Sequence, residues 1–183
     1  MRKLLIFGSD GGLGKEICNQ LNNFLIIPIN KNKLNFLKSN SMQKVFKILK
    51  KENPDIIINC SGVLGSNNLN YTKVFDVNFG SNWNIIRYYL VKNNKKNRKI
   101  VLIGSSGYNK GKKDYMLYSA SKNALHSLYL SAKEILKKKN IKLDIFHPVT
   151  MNTKMIKNLK YKKKKISDPR KIAKKIIYSY KLQ

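Results

Sequence analysis

Short apolar runs alternate along the chain with longer stretches in which apolar residues recur every three or four positions. The short runs lie near Lys3 to Phe7, Phe24 to Ile29, Asp55 to Asn59, Ile100 to Gly104 and Ile141 to His147. Runs this short and this continuously apolar predict strands covered on both faces. The longer stretches, at about Gly12 to Leu21, Met42 to Lys51, Thr72 to Lys92, Tyr115 to Lys138 and Asp168 to Tyr180, predict helices. In the last of them Ser167 or Asp168 can cap, and Pro169 suits the first helical position. Strand and helix in alternation predict an α/β fold, a doubly wound and mostly parallel sheet in one domain over residues 1–183.

Two segments break the alternation. Residues 30–41 are polar and too short for a helical crossover, so the unit there is trimmed or keeps only a minimal strand around Leu34 to Leu37. Residues 151–165 lack apolar periodicity and carry Lys162 to Lys165 in a row, which predicts a mobile surface loop.

Charge alters this picture less than its size suggests. There are 38 Lys and Arg against 9 Asp and Glu, a formal net charge of +29. The lysines are spread from Lys3 to Lys181, and no aromatic-basic platform or helix-turn-helix pattern accompanies them. Specific nucleic-acid binding is therefore not expected, although so positive a field attracts phosphates at low salt. Cys18 and Cys60 have no ligand-spaced His or Cys neighbours and read as small buried hydrophobes, with no metal site expected. The apolar run Leu4 to Phe7 is too short for a signal core, and no run approaches a membrane span, so the expected location is cytoplasmic.

The chemistry concentrates at strand ends. After the first strand, Gly8, Gly12 and Gly14 are spaced G-x-x-x-G-x-G before a helix, a turn through which backbone can approach a pyrophosphate. Asn59-Cys60-Ser61-Gly62 ends the third run, and Asn78 lies early in the helix that follows. Ser105 closes the fourth run, 13 residues before Tyr118. Tyr118 and Lys122 stand four apart, on one face of a helix. His126 reads as a helix or interface residue and His147 as structural; Trp83, Phe79, Ile85, Ile86 and Tyr89 read as a buried face or a dimer contact.

Together these residues resemble the short-chain dehydrogenase/reductase family over roughly residues 1–180. The resemblance implies a Rossmann-type fold and an NAD(P)(H)-dependent oxidoreductase acting on a carbonyl or alcohol. Residues 1–60 would mainly bind cofactor, and residues 61–183 would form the catalytic half, with a lysine-rich loop at 154–165. It implies a catalytic set of Asn78, Ser105, Tyr118 and Lys122, in which Tyr118 exchanges a proton with the substrate oxygen. Lys122 would stabilise the phenolate and hold the ribose. Ser105 would bond the substrate oxygen, and Asn78 would anchor a water leading from Lys122. It further implies cofactor contacts from Gly8, Asp10, Gly12, Leu13, Gly14, Asn30, Lys31, Asn59, Ser61, Gly62, Tyr118, Lys122, Pro148 and Thr153.

Asn30, followed by Lys31 and Lys33, replaces the acidic residue that NAD-preferring members usually carry, so NADP(H) is expected over NAD(H). The lysine loop extends the expected substrates to anionic or phosphorylated ones, and a homodimer or tetramer is expected by resemblance. Val149 stands where the family commonly has Gly, the family's usual last strand is expected to be missing, and Asn35 stands where relatives often place an Asp. Two alternatives stay open: a non-catalytic dinucleotide-binding sensor or assembly protein, and a nucleotide-sugar reductase or epimerase on the same fold.

Overall fold

The computed structural model describes residues 1–65, 71–111, 113–156 and 166–182. Its strands are β1 (Lys3–Phe7), β2 (Leu25–Ile29), β3 (Ile56–Asn59), β4 (Arg98–Ile103) and β5 (Ile141–Phe146). They pair in parallel in one sheet, in the order β2-β1-β3-β4-β5. The helices are α1 (Gly12–Gln20), α2 (Ser41–Glu52), α3 (Tyr71–Phe75), α4 (Ser81–Val91), α5 (Met116–Lys137) and α6 (Pro169–Ser179). This is a Rossmann-like sheet flanked by helices, and each expected strand is present to within two residues at either end.

Both faces of the sheet are covered, which is why its central strands read as unbroken apolar runs. Leu5, Phe7, Ile57, Ile100 and Leu102 pack with Val45, Leu49, Ile85, Ile86, Tyr89, Leu125 and Leu136 of α2, α4 and α5. The alternate residues Leu4, Ile6, Ile56, Ile58, Val101 and Ile103 pack with Leu13, Ile17, Ile172 and Ile176 of α1 and α6. Asp168 caps α6 by accepting from the Arg170 backbone N–H at 2.8 Å, with Pro169 behind it. Pro28, which has no N–H to donate, lies in edge strand β2, where that loss is tolerated.

Four expectations are corrected or completed. Between β2 and α2 the chain forms turns only, with no strand at Leu34 to Leu37. Leu34 and Phe36 instead fold inward, and Phe36 meets the Phe7 ring at a centroid distance of 6.0 Å. The helix expected from Thr72 to Lys92 is not uniform, because Asp76–Gly80 widens into a π turn between α3 and α4. The carbonyls this frees are taken by side chains: Ser81 Oγ donates to Val77 O at 2.6 Å and Asn82 Nδ2 to Asn78 O at 2.9 Å. Of the buried face, Ile85, Ile86 and Tyr89 are core, whereas Phe79 and Trp83 are half-exposed. Cys18 and Cys60 are half-buried against the core on the α1 and α6 side.

After β5 the described residues add no sixth strand, only a parallel bridge between Met151 and Ser167. Lys162 to Lys165 lie outside the described residues; of the lysine loop, residues 154–156 form a short 3-10 turn. No helix among the described residues is long and apolar enough to cross a membrane.

Candidate active site

In this strand order the chain leaves β1 toward β2 on one side and returns to β3 on the other. A crevice therefore opens at the carboxyl ends of β1 and β3. Gly8 turns the chain there with φ +69°, and a side chain on it would strike the Ser61 backbone nitrogen at 2.8 Å. A Cβ on Gly14 would overlap the Gly8 carbonyl oxygen, and one on Gly12 would overlap the Thr153 methyl. The three glycines thus let α1 start hard against the turn, while Leu13 is buried behind it.

Beside this turn lies a cavity of about 260 Å³. Gly8, Asp10, Asn30, Lys31, Ser61 and Gly62 contribute to its lining, together with Lys73 of α3, which sequence reasoning passed over. Asp10 is exposed, so its carboxylate can turn to solvent. Asn30 spends its side-chain oxygen on the Lys33 N–H at 3.1 Å, and Lys33 reaches back to the Pro28 carbonyl at 3.0 Å. Lys31 is exposed and bounds the cavity. Asn59 turns inward: it donates to Ser81 Oγ at 2.8 Å and Asn82 Oδ1 at 2.9 Å, and accepts from the Ser61 N–H at 3.1 Å. Its side chain shapes the Ser61-Gly62 turn from behind.

At the ends of β4 and β5 a smaller cavity of about 90 Å³ brings together Ser105, Tyr118, Pro148 and Thr153. Burial pushes the Tyr118 phenol's pKa up, and the neighbouring Ser105 hydroxyl, which accepts from the Gly107 N–H at 3.2 Å, opposes that push. Lys122 is buried at 4% exposure and donates from Nζ to the Ile103 carbonyl at 2.7 Å. Its Nζ lies 5.9 Å from the Tyr118 ring centroid. Burial lowers its pKa to about 8.

Asn78 occupies the π turn and is fully engaged. Its Oδ1 accepts from the Val63 N–H at 2.9 Å, and its Nδ2 donates to Val63 O at 2.9 Å and Ser121 Oγ at 3.0 Å. Ser121 Oγ in turn donates to the Tyr118 carbonyl at 2.8 Å. Asn78 thus ties the chain after β3 to the Tyr118 helix, a link no local pattern announces.

Residues 33–164 match the sequence pattern of the family described as short chain dehydrogenase. The chain belongs to that family. Solved structures agree on the fold of a short-chain dehydrogenase. A short chain dehydrogenase family protein from Francisella tularensis subsp. tularensis SCHU S4 is 22% identical, with a TM-score of 0.82 over 97% of this chain and 90% of that one. The 3-alpha-hydroxysteroid dehydrogenase from Pseudomonas sp. B-0831, complexed with NADH, is 16% identical, with a TM-score of 0.83 over 98% and 89%. A short chain dehydrogenase from Burkholderia cenocepacia J2315 in complex with NADP is 14% identical, with a TM-score of 0.80 over 99% and 86%. No curated protein sequence matches the chain. Of the two cavities, the first lies beside the glycine turn and the second beside Ser105 and Tyr118.

Proposed function

We propose that the protein is an NADP(H)-linked reductase or dehydrogenase for a carbonyl or alcohol substrate, with Tyr118 as general acid and base. The observation that carries this is the placing of Ser105 and Tyr118 around one cavity, with the buried ammonium of Lys122 5.9 Å from the Tyr118 ring centroid. A dinucleotide fits the residues present, because the glycine turn packs tightly enough to bring the start of α1 directly against it, beside a cavity of about 260 Å³. Lys31 and Lys73 flank the cavity where a 2′-phosphate would sit, which supports NADP(H) over NAD(H). NADP and NADH in the Burkholderia and Pseudomonas structures support the same cofactor class.

When bound, reduced nicotinamide supplies the hydride to the carbonyl carbon. Tyr118 gives its phenol proton to the carbonyl oxygen, and the Ser105 hydroxyl donates a hydrogen bond to the same oxygen. The Lys122 ammonium stabilises the phenolate left behind. Lys122, Pro148 and Thr153 would hold the nicotinamide end; Gly12, Leu13 and Gly14 would hold the pyrophosphate through backbone N–H groups at the start of α1, since the Gly8 N–H is spent on the Ile29 carbonyl and the Ser61 N–H on Asn59 Oδ1. In the alcohol-oxidising direction every transfer reverses.

A titration with NADPH and NADH at about 0.15 M salt, where non-specific phosphate attraction is largely screened, tests the reading. Tighter NADPH binding, weakened selectively by Lys31→Ala or Lys73→Ala, is expected. Equal affinities would remove the NADP(H) preference, and no binding of either nucleotide would remove the function. Tyr118→Phe should retain binding and lose about 10²- to 10⁴-fold in turnover.

The cavity of about 90 Å³ favours a second reading, since it is small beside ordinary ligand pockets. In that reading the protein is a dinucleotide-binding sensor, for which Tyr118→Phe changes nothing.

A further inference from the structure

The chain has two histidines, and they are bonded to each other. His126 Nδ1, on α5, lies 3.1 Å from His147 Nε2, just after β5. The other ring nitrogen of His147, Nδ1, lies 3.0 Å from the Ser105 carbonyl oxygen and 3.2 Å from the Ser105 backbone nitrogen. Tyr108 covers the pair, stacked on His147 with centroids 4.1 Å apart and tilted against His126 at 4.3 Å. Residue 104 has to be glycine for the ring to be there, because a Cβ would overlap His147 Nδ1.

Two neutral arrangements satisfy the chain of bonds: His147 Nδ1–H donates to the Ser105 carbonyl while Nε2 accepts from His126 Nδ1, or Nδ1 accepts from the Ser105 N–H while Nε2–H donates to His126 Nδ1. Either one ties the imidazole to the Ser105 peptide through Nδ1. Burial, joined by the nearby His126 and Lys122, holds the His147 pKa below its ordinary value, as a neutral ring requires. Strand pairing clamps the residues on either side, since Gly104 N donates to Phe146 O at 2.7 Å and Ser106 N to Pro148 O at 2.9 Å. The Ser105 peptide between these two bonds is thus held by an imidazole.

We infer that His126 and His147 are positioning residues that fix Ser105 so that its hydroxyl meets the Tyr118 phenol. This rests on the proposed reductase chemistry, for which the Ser105–Tyr118 contact is the working geometry. Packing alone would be served as well by an apolar side chain of similar size. Positioning needs a polar group where Nδ1 lies, one bond reach from the Ser105 peptide.

The test is a set of variants at one position. The amide of His147→Asn falls near Nδ1, that of His147→Gln near Nε2, and His147→Leu has neither. With NADPH and 4-nitrobenzaldehyde as the probe, Leu and Gln should lower kcat about tenfold to a hundredfold, as small misplacements of reacting groups do. The KM for NADPH should stay unchanged, and His147→Asn should retain most of kcat. A second readout needs no turnover: the titration of Tyr118 in protein carrying ¹³C-labelled tyrosine, assigned with Tyr118→Phe. Loss of the Ser105 contact should move that titration to higher pH in the Leu and Gln variants and leave it in place in Asn.

Asn and Gln variants that behave alike, or an unmoved kcat and an unmoved Tyr118 titration in Leu, would overturn the inference. Should Leu fail to fold, the Asn and Gln comparison decides alone. Absence of turnover in the unaltered protein counts against the proposed function only, and the Tyr118 titration then decides this inference.

Discussion

The position of Lys122 is costly to the fold. It buries an ammonium with one protein acceptor, the Ile103 carbonyl, and has no ion-pair partner among the described residues. Burial lowers its pKa from 10.5 to about 8. Below pH 8 the folded and unfolded chains both carry this proton, and the folded state bears the full cost of the buried charge. Between pH 8 and about 10.5 the unfolded chain binds more protons, so stability contributed by this group rises with pH. The window corresponds to about 3 kcal/mol. Lys122→Met removes the dependence, so the variant's advantage in urea unfolding should shrink by about that amount from pH 8 to pH 10.5. A constant difference would mean that the ammonium is not buried as described.

At the scale of elements, ends and interruptions decide more than interiors. Helix α2 stops because Asn53 enters the left-handed region at φ +46°, where its N–H bonds the Leu49 carbonyl. Alanine pays the Cβ penalty there and glycine does not. Asn53→Ala should lower stability by about 1 kcal/mol and Asn53→Gly by less, as read from urea midpoints. Equal losses would place the effect in the Asn53 side chain, which Arg98 contacts.

Strand and helix identities were legible from the apolar period alone, because both faces of the sheet are covered. The π turn at Asp76–Gly80 was not legible. It exists because Ser81 takes the Val77 carbonyl within the turn, while Asn78 and Asn82 find partners on Val63, Ser121 and Asn59, which arrive from other elements. For the same reason residues 30–40 carried no readable structure: Leu34 and Phe36 are fixed by the core they fold into, not by a local pattern.

Over the whole molecule the dominant feature is a net charge of +29. Like charges repel more in the compact state, and salt screens them over a Debye length of about 10 Å at 0.1 M. Raising salt from about 0.02 M to 0.3 M should raise the melting temperature. A flat or falling response would show that ion pairs such as Lys96–Asp55, at 2.7 Å, outweigh the repulsion. We also propose a homodimer through the outer faces of α4 and α5, where Val91, Leu130 and Ile135 stand exposed. Sedimentation at about 0.15 M salt should show twice the chain mass; a monomer at all concentrations would exclude it.

The linear chain by itself determined the parallel sheet, the glycine turn and the Tyr118–Lys122 spacing. These are local properties: apolar period, missing Cβ atoms and two side chains four apart on a helix. Only the tertiary structure decided what surrounds them. His126 and His147 are 21 residues apart, and Ser105 is 42 from His147. Nothing in their neighbourhoods in sequence shows that one imidazole joins the other to the Ser105 peptide. Lys73 comes to share a cavity wall with Gly8, Asn30 and Ser61 only in the folded chain. Period and spacing are written along the chain, but hydrogen bonds between distant elements exist only once the sheet has brought their ends together.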